Sequence, residues 1–339
     1  MASDFHVESN SKLEPWILRT FCEPLLRLIP ERVHPNLLSM VNTTTMWTMF
    51  ILAAAAPHLS PAYGFWARVG AAIGMFATML LDSLDGMQAR RTGRTSKLGE
   101  VLDHWLDAAH VPMIAAAIVL TLEVHPVLIV GVAITNVMIY HAQILLYHHT
   151  RRFVQSPVSG VDGQFGWSFG LVVVGVIFYY LPRDLVWLDW LIGAVALTAI
   201  VVQSLQCWFY YQKLGLLLRY HVPFVAMNVG FAIPLLLGQI DVWAFLFCGI
   251  FLSLRITGSY VIHSVLREPF GGVDWGVVGF IFAMPLACAY VDPIAYHGFT
   301  IQQLLPYAAC VYMLARSLFD FARHYPRLRP SEDGAFKSL

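Results

Sequence analysis

Between Asp82 and Asp107 the chain reads DSLDGMQARRTGRTSKLGEVLDHWLD, which sets Asp82, Asp85, Asp103 and Asp107 around a short basic segment. If two helices flank a loop here, Asp82, Asp85 and Ala89 share one helical face. Gly99, Asp103 and Asp107 recur every four residues and share a face of the second helix. Acidic groups at membrane depth are expensive, and four in one pocket repel one another. Protonation or divalent cations relieve that repulsion. All-oxygen ligands suit hard ions such as Mg²⁺, Mn²⁺ or Ca²⁺ rather than zinc. Four aspartates have the capacity for one or two such ions, and paired metals roughly 3.5–4 Å apart serve displacement at phosphorus. Gly86, Ala89 and Gly99 leave room on the same faces for a flat ligand or a close helix crossing. Arg90, Arg91, Arg94 and Lys97 are suited to phosphate oxygens. The plain alternative is carboxylates paired with arginines to hold helices together.

The string Asp82-x2-Asp85-Gly86-x2-Ala89-Arg90-x8-Gly99-x3-Asp103-x3-Asp107 resembles the signature of the CDP-alcohol phosphotransferases, with every signature position filled. That resemblance implies two ions, Mg²⁺ or Mn²⁺, held mainly by Asp82, Asp85 and Asp103. It implies that Asp107 is the general base and also a metal contact, while Asp82, Gly86, Ala89, Arg90 and Gly99 surround the CMP portion of the donor. Asn36, after Pro35, resembles a Pro-Asn pair near the family's nucleotide pocket, although Pro-Asn also simply opens helices.

These residues need a scaffold, and composition names its type. Of 339 residues, 58% are hydrophobic and 12% charged, against about 25% charged in soluble domains. Apolar stretches of about twenty residues recur along the chain, so the expected fold is all-α, a polytopic transmembrane bundle. The formal net charge is zero, which offers no argument for nucleic acid. The five cysteines are spread out without a CxxC pair and read as buried thiols. Residues 1–12 read as disordered, with no basic-then-apolar leader. Leu13–Ile29 reads as an amphipathic helix on the membrane surface, with Trp16 near its start. About ten spans follow, near 35–56, 63–91, 97–122, 126–149, 167–181, 184–211, 220–237, 242–266, 275–290 and 301–322, and then a charged tail.

Ten spans put both termini and the motif loop on one side. That side receives Arg90, Arg91, Arg94, Lys97, Arg151, Arg152, Lys213, Arg219, Arg267, Arg323, Arg329 and Lys337 among others. The opposite loops hold Arg183, with Arg68 just inside the second span. The motif side is therefore expected to be cytoplasmic. An endoplasmic reticulum or Golgi membrane is expected, and a bacterial inner membrane obeys the same rule.

Secondary candidates lie further on. His141, His148 and His149, with Arg151 and Arg152, fall on the fourth span or its cytoplasmic end. His141, His148 and Arg151 are candidates for a substrate pocket, although an interfacial histidine is the commoner case. Asp162 and Gln164, expected in the loop SPVSGVDGQFG, loosely resemble a polar segment of the choline and ethanolamine members. Arg255 and Arg316 lie inside spans and need partners, structural ions or phosphate.

Size and the amphipathic leader resemble the choline/ethanolamine phosphotransferases. The implied reaction moves phosphocholine or phosphoethanolamine from CDP-choline or CDP-ethanolamine to a lipid hydroxyl, of diacylglycerol or ceramide, and releases CMP. The expected domains are 1–34, the leader; 35–212, the catalytic core; 213–322, helices for lipid access and a homodimer surface; and 323–339, a tail. Two other readings stand beside this one. One is phosphatidyl transfer from CDP-diacylglycerol to a small alcohol; the other is an ion- or proton-coupled transporter, for which no inverted repeat is visible.

Overall fold

The computed structural model describes residues 6–8, 10–181, 185–270, 273–290, 295–296 and 299–328. A helical leader comes first: α1 (Glu14–Ile17), a π-helical turn (Leu18–Cys22) and α2 (Glu23–Leu28) run on as one rod. Among the described residues ten long helices follow: α3 (Pro35–Ala55), α4 (Pro61–Thr92), α5 (Lys97–Leu122), α6 (Pro126–Thr150), α7 (Gly160–Tyr180), α8 (Val186–Leu214), α9 (Leu218–Leu236), α10 (Val242–Leu266), α11 (Trp275–Tyr290) and α12 (Ile301–Leu328). Eight segments among the described residues are long and apolar enough to cross a membrane. One of these, Val186–Leu236, holds both α8 and α9, joined by a 3-10 turn at Gly215–Leu217, and Trp275–Ala287 is a shorter apolar helix. The expected ten spans are thus ten helices of a multi-pass membrane protein. Along α8, Trp187, Trp190, Leu197, Leu205 and Trp208 point outward, as a lipid-facing helix requires.

The helix pair carrying the motif is bounded by local chemistry. Gly93 at φ 65° ends α4 in the left-handed conformation that glycine takes without a Cβ penalty. Ser96 then accepts a hydrogen bond from the Gly99 amide at 3.0 Å and starts α5. α3 packs on both α4 and α5, α4 also packs on α7, and α5 packs on α10, the most enclosed span. At the α5–α10 crossing a Cβ on Gly258 would lie 2.8 Å from Trp105 Cδ1, so only glycine fits.

Three boundaries differ from expectation. Residues 10–12 are not loose: Asn10 donates to the Gln155 carbonyl at 2.8 Å, and Ser11 donates to Asp162 at 2.9 Å. A short parallel pairing of β1 (His6–Glu8) with β2 (Arg152–Val154) lies beside that contact. α7 starts at Gly160, not near Trp167, because Ser159 and Asp162 form a reciprocal capping box that outweighs the glycines. Asp162 and Gln164 are therefore helical. α12 continues to Leu328, so Arg323 and Arg327 lie on a helix rather than in a tail. Arg183, Arg329 and Lys337 fall outside the described residues.

Candidate active site

The polar side of α3 meets the motif. Ser39 Oγ donates to Asp85 Oδ2 at 2.5 Å, and Asn42 Nδ2 donates to Asp82 Oδ1 at 3.3 Å. Asp85 is buried, whereas Asp82, Asp103 and Asp107 are half-buried. The carboxylates of Asp82, Asp85, Asp103 and Asp107 interact electrostatically with one another. Ligand atoms of Asp103, His104 and Asp107 all lie within 4.8 Å of one another, and His110 Nδ1 stands 3.5 Å from Asp107 Oδ1. The hydrogen bonds from Ser39 and Asn42 come from neutral donors, which orient the carboxylates without cancelling their charge. Mutually repelling oxygens in a half-buried pocket are a donor set that fits hard divalent cations.

The small motif residues have visible neighbours. A Cβ on Gly99 would sit 3.5 Å from Asn36 Oδ1, so the α3 N-terminus covers the first turn of α5. A Cβ on Gly86 would sit 3.3 Å from an Arg90 guanidinium nitrogen, so that side chain folds back along its helix. Arg90 is exposed, and Ala89 is half-buried beside it. Arg91 and Arg94 differ from the expectation of phosphate binding. Arg91 donates to the Leu26 and Ile29 carbonyls at 2.5 and 2.6 Å, and Arg94 donates to the Arg32 carbonyl at 3.3 Å. Gln88 donates to the Pro30 and Val33 carbonyls, so these side chains clamp the end of the leader.

A cavity of about 600 Å³ reaches Asp82 and Asp107. Its apolar walls include Met46, Ile114 and Val202, and carboxamides rim it. The side-chain oxygens of Asn42, Asn136, Gln155 and Gln164 in that rim are buried with no hydrogen-bond partner among the described residues.

His141 lies elsewhere. It is fully buried, stacks on Phe224 at 4.0 Å and shares a hydrogen bond with Thr257 at 2.9 Å, facing α9 and α10 rather than the cavity. His148 Nδ1 bonds Ser264 Oγ at 2.8 Å, and Arg151 donates to the Ser264 carbonyl, so both tie α6 to the end of α10. Arg255 is held by Asp274 at 2.7 Å and Asp320 at 2.6 Å, the structural-ion option. Arg316 lies over the Phe319 ring. Sequence reasoning missed Ser39, Asn42 and His104. A signal existed: Asn36, Ser39 and Asn42 repeat every three residues on a helix whose other polar residues are threonines.

Residues 32–202 match the family model described as CDP-alcohol phosphatidyltransferase, half of the chain. The chain belongs to that family. It is similar to Cholinephosphotransferase 1 of Gallus gallus, 36% identical over 100 residues covering 29% of this chain and 30% of that protein. It is similar to Cholinephosphotransferase 1 of Bos taurus, 34% identical over 119 residues covering 34% and 29%. It also resembles a CDP-alcohol phosphatidyltransferase class-I family protein of Dictyostelium discoideum, 27% identical over 156 residues covering 45% and 39%. The chain spans about a third of the length of these curated relatives.

Proposed function

We propose that the chain transfers a phospho-amino-alcohol, phosphocholine or phosphoethanolamine, from a CDP-alcohol to a lipid hydroxyl. The observation that carries this reading is the convergence of four aspartates at the edge of a cavity with apolar walls. A water-soluble nucleotide and a lipid alcohol can meet only where such surfaces adjoin. Support for the amino-alcohol comes from relatives named cholinephosphotransferase.

Asp82, Asp85, Asp103 and Asp107 would hold one or two Mg²⁺ or Mn²⁺ ions, which when bound supply charge neutralisation on the diphosphate. Asn36, Gly86, Ala89, Arg90 and Gly99 form the nucleotide side, where the absence of bulk admits a flat base and Arg90 approaches phosphate oxygen. The acceptor hydroxyl sits in the cavity. Its proton passes to Asp107 as its oxygen bonds to the phosphorus carrying the alcohol. The bond from that phosphorus to the bridging oxygen breaks, and CMP leaves with the electron pair. Diacylglycerol is the acceptor favoured by the resemblance, with ceramide as the second. The motif end faces the cytoplasm, the membrane is that of the endoplasmic reticulum or Golgi, and the helices after residue 212 supply lipid access and a homodimer surface.

The test is CMP release by the purified protein in lipid with Mg²⁺ or Mn²⁺. CDP-choline and CDP-ethanolamine are offered with diacylglycerol or ceramide, and CDP-diacylglycerol with soluble alcohols. Turnover with a CDP-amino-alcohol, abolished by EDTA and by Asp107→Asn, is expected. Turnover confined to CDP-diacylglycerol would reverse the substrate assignment, and ion flux without nucleotide would replace transfer by transport.

A further inference from the structure

A second cluster of metal-type ligands lies where α10 and α12 end. His263 is on the last turn of α10, Glu268 lies just beyond it, and His324 is on the last turns of α12. One ligand atom from each lies within 4.8 Å of the other two, with His324 Nε2 3.7 Å from Glu268 Oε2. Four-coordinate sites at bond lengths of about 2.0–2.2 Å need ligand atoms roughly 3–4 Å apart, so small side-chain rotations would close the set.

The two histidines are also oriented alike. His263 Nδ1 lies 2.8 Å from the Ser259 carbonyl, and His324 Nδ1 lies 2.8 Å from the Asp320 carbonyl. A carbonyl oxygen can only accept, so each Nδ1 carries the hydrogen and each Nε2 of the neutral ring carries a lone pair. Outer-shell anchoring through one ring nitrogen is the usual arrangement of metal-bound histidine. Glu268 is anchored in the same way: Arg327 donates to Oε1 at 2.6 Å and leaves Oε2 on the histidine side. Packing adds rigidity, since the His263 ring lies 4.9 Å from Phe270. The Glu268 side chain is 31% exposed, which leaves a path for an ion and for a water as further ligand.

We propose that His263, Glu268 and His324 form a site for a divalent transition-metal ion of the zinc type, separate from the aspartate centre. Two nitrogens and one oxygen favour such an ion over Mg²⁺, just as the oxygens of four aspartates favour the reverse. The bound ion clamps the ends of α10 and α12. α10 packs along α5, so the clamp stiffens the wall behind Asp103 without touching substrate.

The experiment uses the full chain in detergent, stripped with EDTA and titrated with Co²⁺ or Zn²⁺. The parent and an Asp103→Asn, Asp107→Asn variant, in which the aspartate centre is disabled, are compared. Both are expected to show about one equivalent of Co²⁺ with the visible absorption of a nitrogen-ligated ion, beyond whatever Co²⁺ the parent's aspartates hold, and to melt higher with Zn²⁺. His263→Gln with His324→Gln removes the signal. Glu268→Gln, which keeps the histidines and a polar side chain, weakens binding by at least about tenfold while melting as the parent does without metal. Nitrogen-ligated Co²⁺ absorption unchanged by the histidine and glutamate substitutions would overturn the site, as would its loss in the aspartate variant alone. Catalytic failure leaves these readouts untouched.

Discussion

Two regions of this molecule bury carboxylates, and they do so in opposite ways. Around α4 and α5, Asp82, Asp85, Asp103 and Asp107 face one another, and Asp85 and Asp82 accept from the neutral side chains of Ser39 and Asn42. Around α10 and α12, Asp274 and Asp320 share Arg255, whose guanidinium also donates to Ser259 at 2.6 Å. The second region is balanced by its own side chains, whereas the first, under the proposed function, would be completed by a bound cation. A buried carboxylate therefore marks a candidate centre only where the protein has withheld its partner. Arg68 follows the second pattern at the other end of the bundle, paired with Glu123 at 2.7 Å.

The widest gap between the regions should appear in stability. Arg255→Met leaves Asp274 and Asp320 without their cation, and removal of one partner from a buried pair costs about 3–5 kcal/mol. Thermal or denaturant unfolding in detergent measures the loss. Asp103→Asn should move stability in the other direction when metal is stripped, because it relieves repulsion. An Arg255 variant as stable as the parent, or an Asp103 variant that melts lower in EDTA, would erase the contrast.

Activity sharpens the same contrast. Asp103→Asn should lower CMP release at least about a hundredfold, since loss of a direct ligand exceeds the roughly 10–100-fold typical of outer-shell partners. Asp320→Asn, measured at a temperature where it remains folded, should leave the rate per folded molecule within a few-fold of the parent. Equal losses at the two aspartates would mean that both regions serve the reaction.

How much of this was legible beforehand depends on sequence distance. The aspartate faces, the Gly93–Ser96 loop and the start of α5 follow from helical spacing and capping, which are local. Ser39 reaches Asp85 across 46 positions, and Arg255 reaches Asp320 across 65, so those partners depend on helix packing that no local pattern encodes. Arg91 and Arg94 show the converse: a basic run beside a phosphate-type motif reads as anion binding, yet both side chains donate to carbonyls at the end of the leader. At α7 the reading followed three glycines and overlooked Ser159-x2-Asp162, which was present in the sequence.

The neutral donors of the first region offer a smaller test. Ser39→Ala and Asn42→Ala each remove one hydrogen bond from a candidate ligand. Each should reduce turnover about 10–100-fold and raise the Mn²⁺ or Mg²⁺ concentration for half-maximal rate. A change confined to the lipid-acceptor KM would instead assign Asn42 to the cavity rim.

The smallest expected effect concerns pH and belongs to the arginine-balanced region. Burial raises the proton affinity of Asp274, but bonds from Arg255 and Tyr312 outweigh it and hold the carboxyl below the usual range. A depressed folded-state pKa contributes stability that is fully present above the unfolded value of about 3.9 and is lost as pH falls through the folded value. Melting temperature should therefore fall on acidification below about pH 4 more steeply in the parent than in Asp274→Asn, which has no proton to gain. At neutral pH the variant is the less stable of the two, so the curves converge as acid is added. Parallel curves would mean that Asp274 draws no net stabilisation from Arg255, and the balance assigned to this region would then have to rest on Asp320 alone.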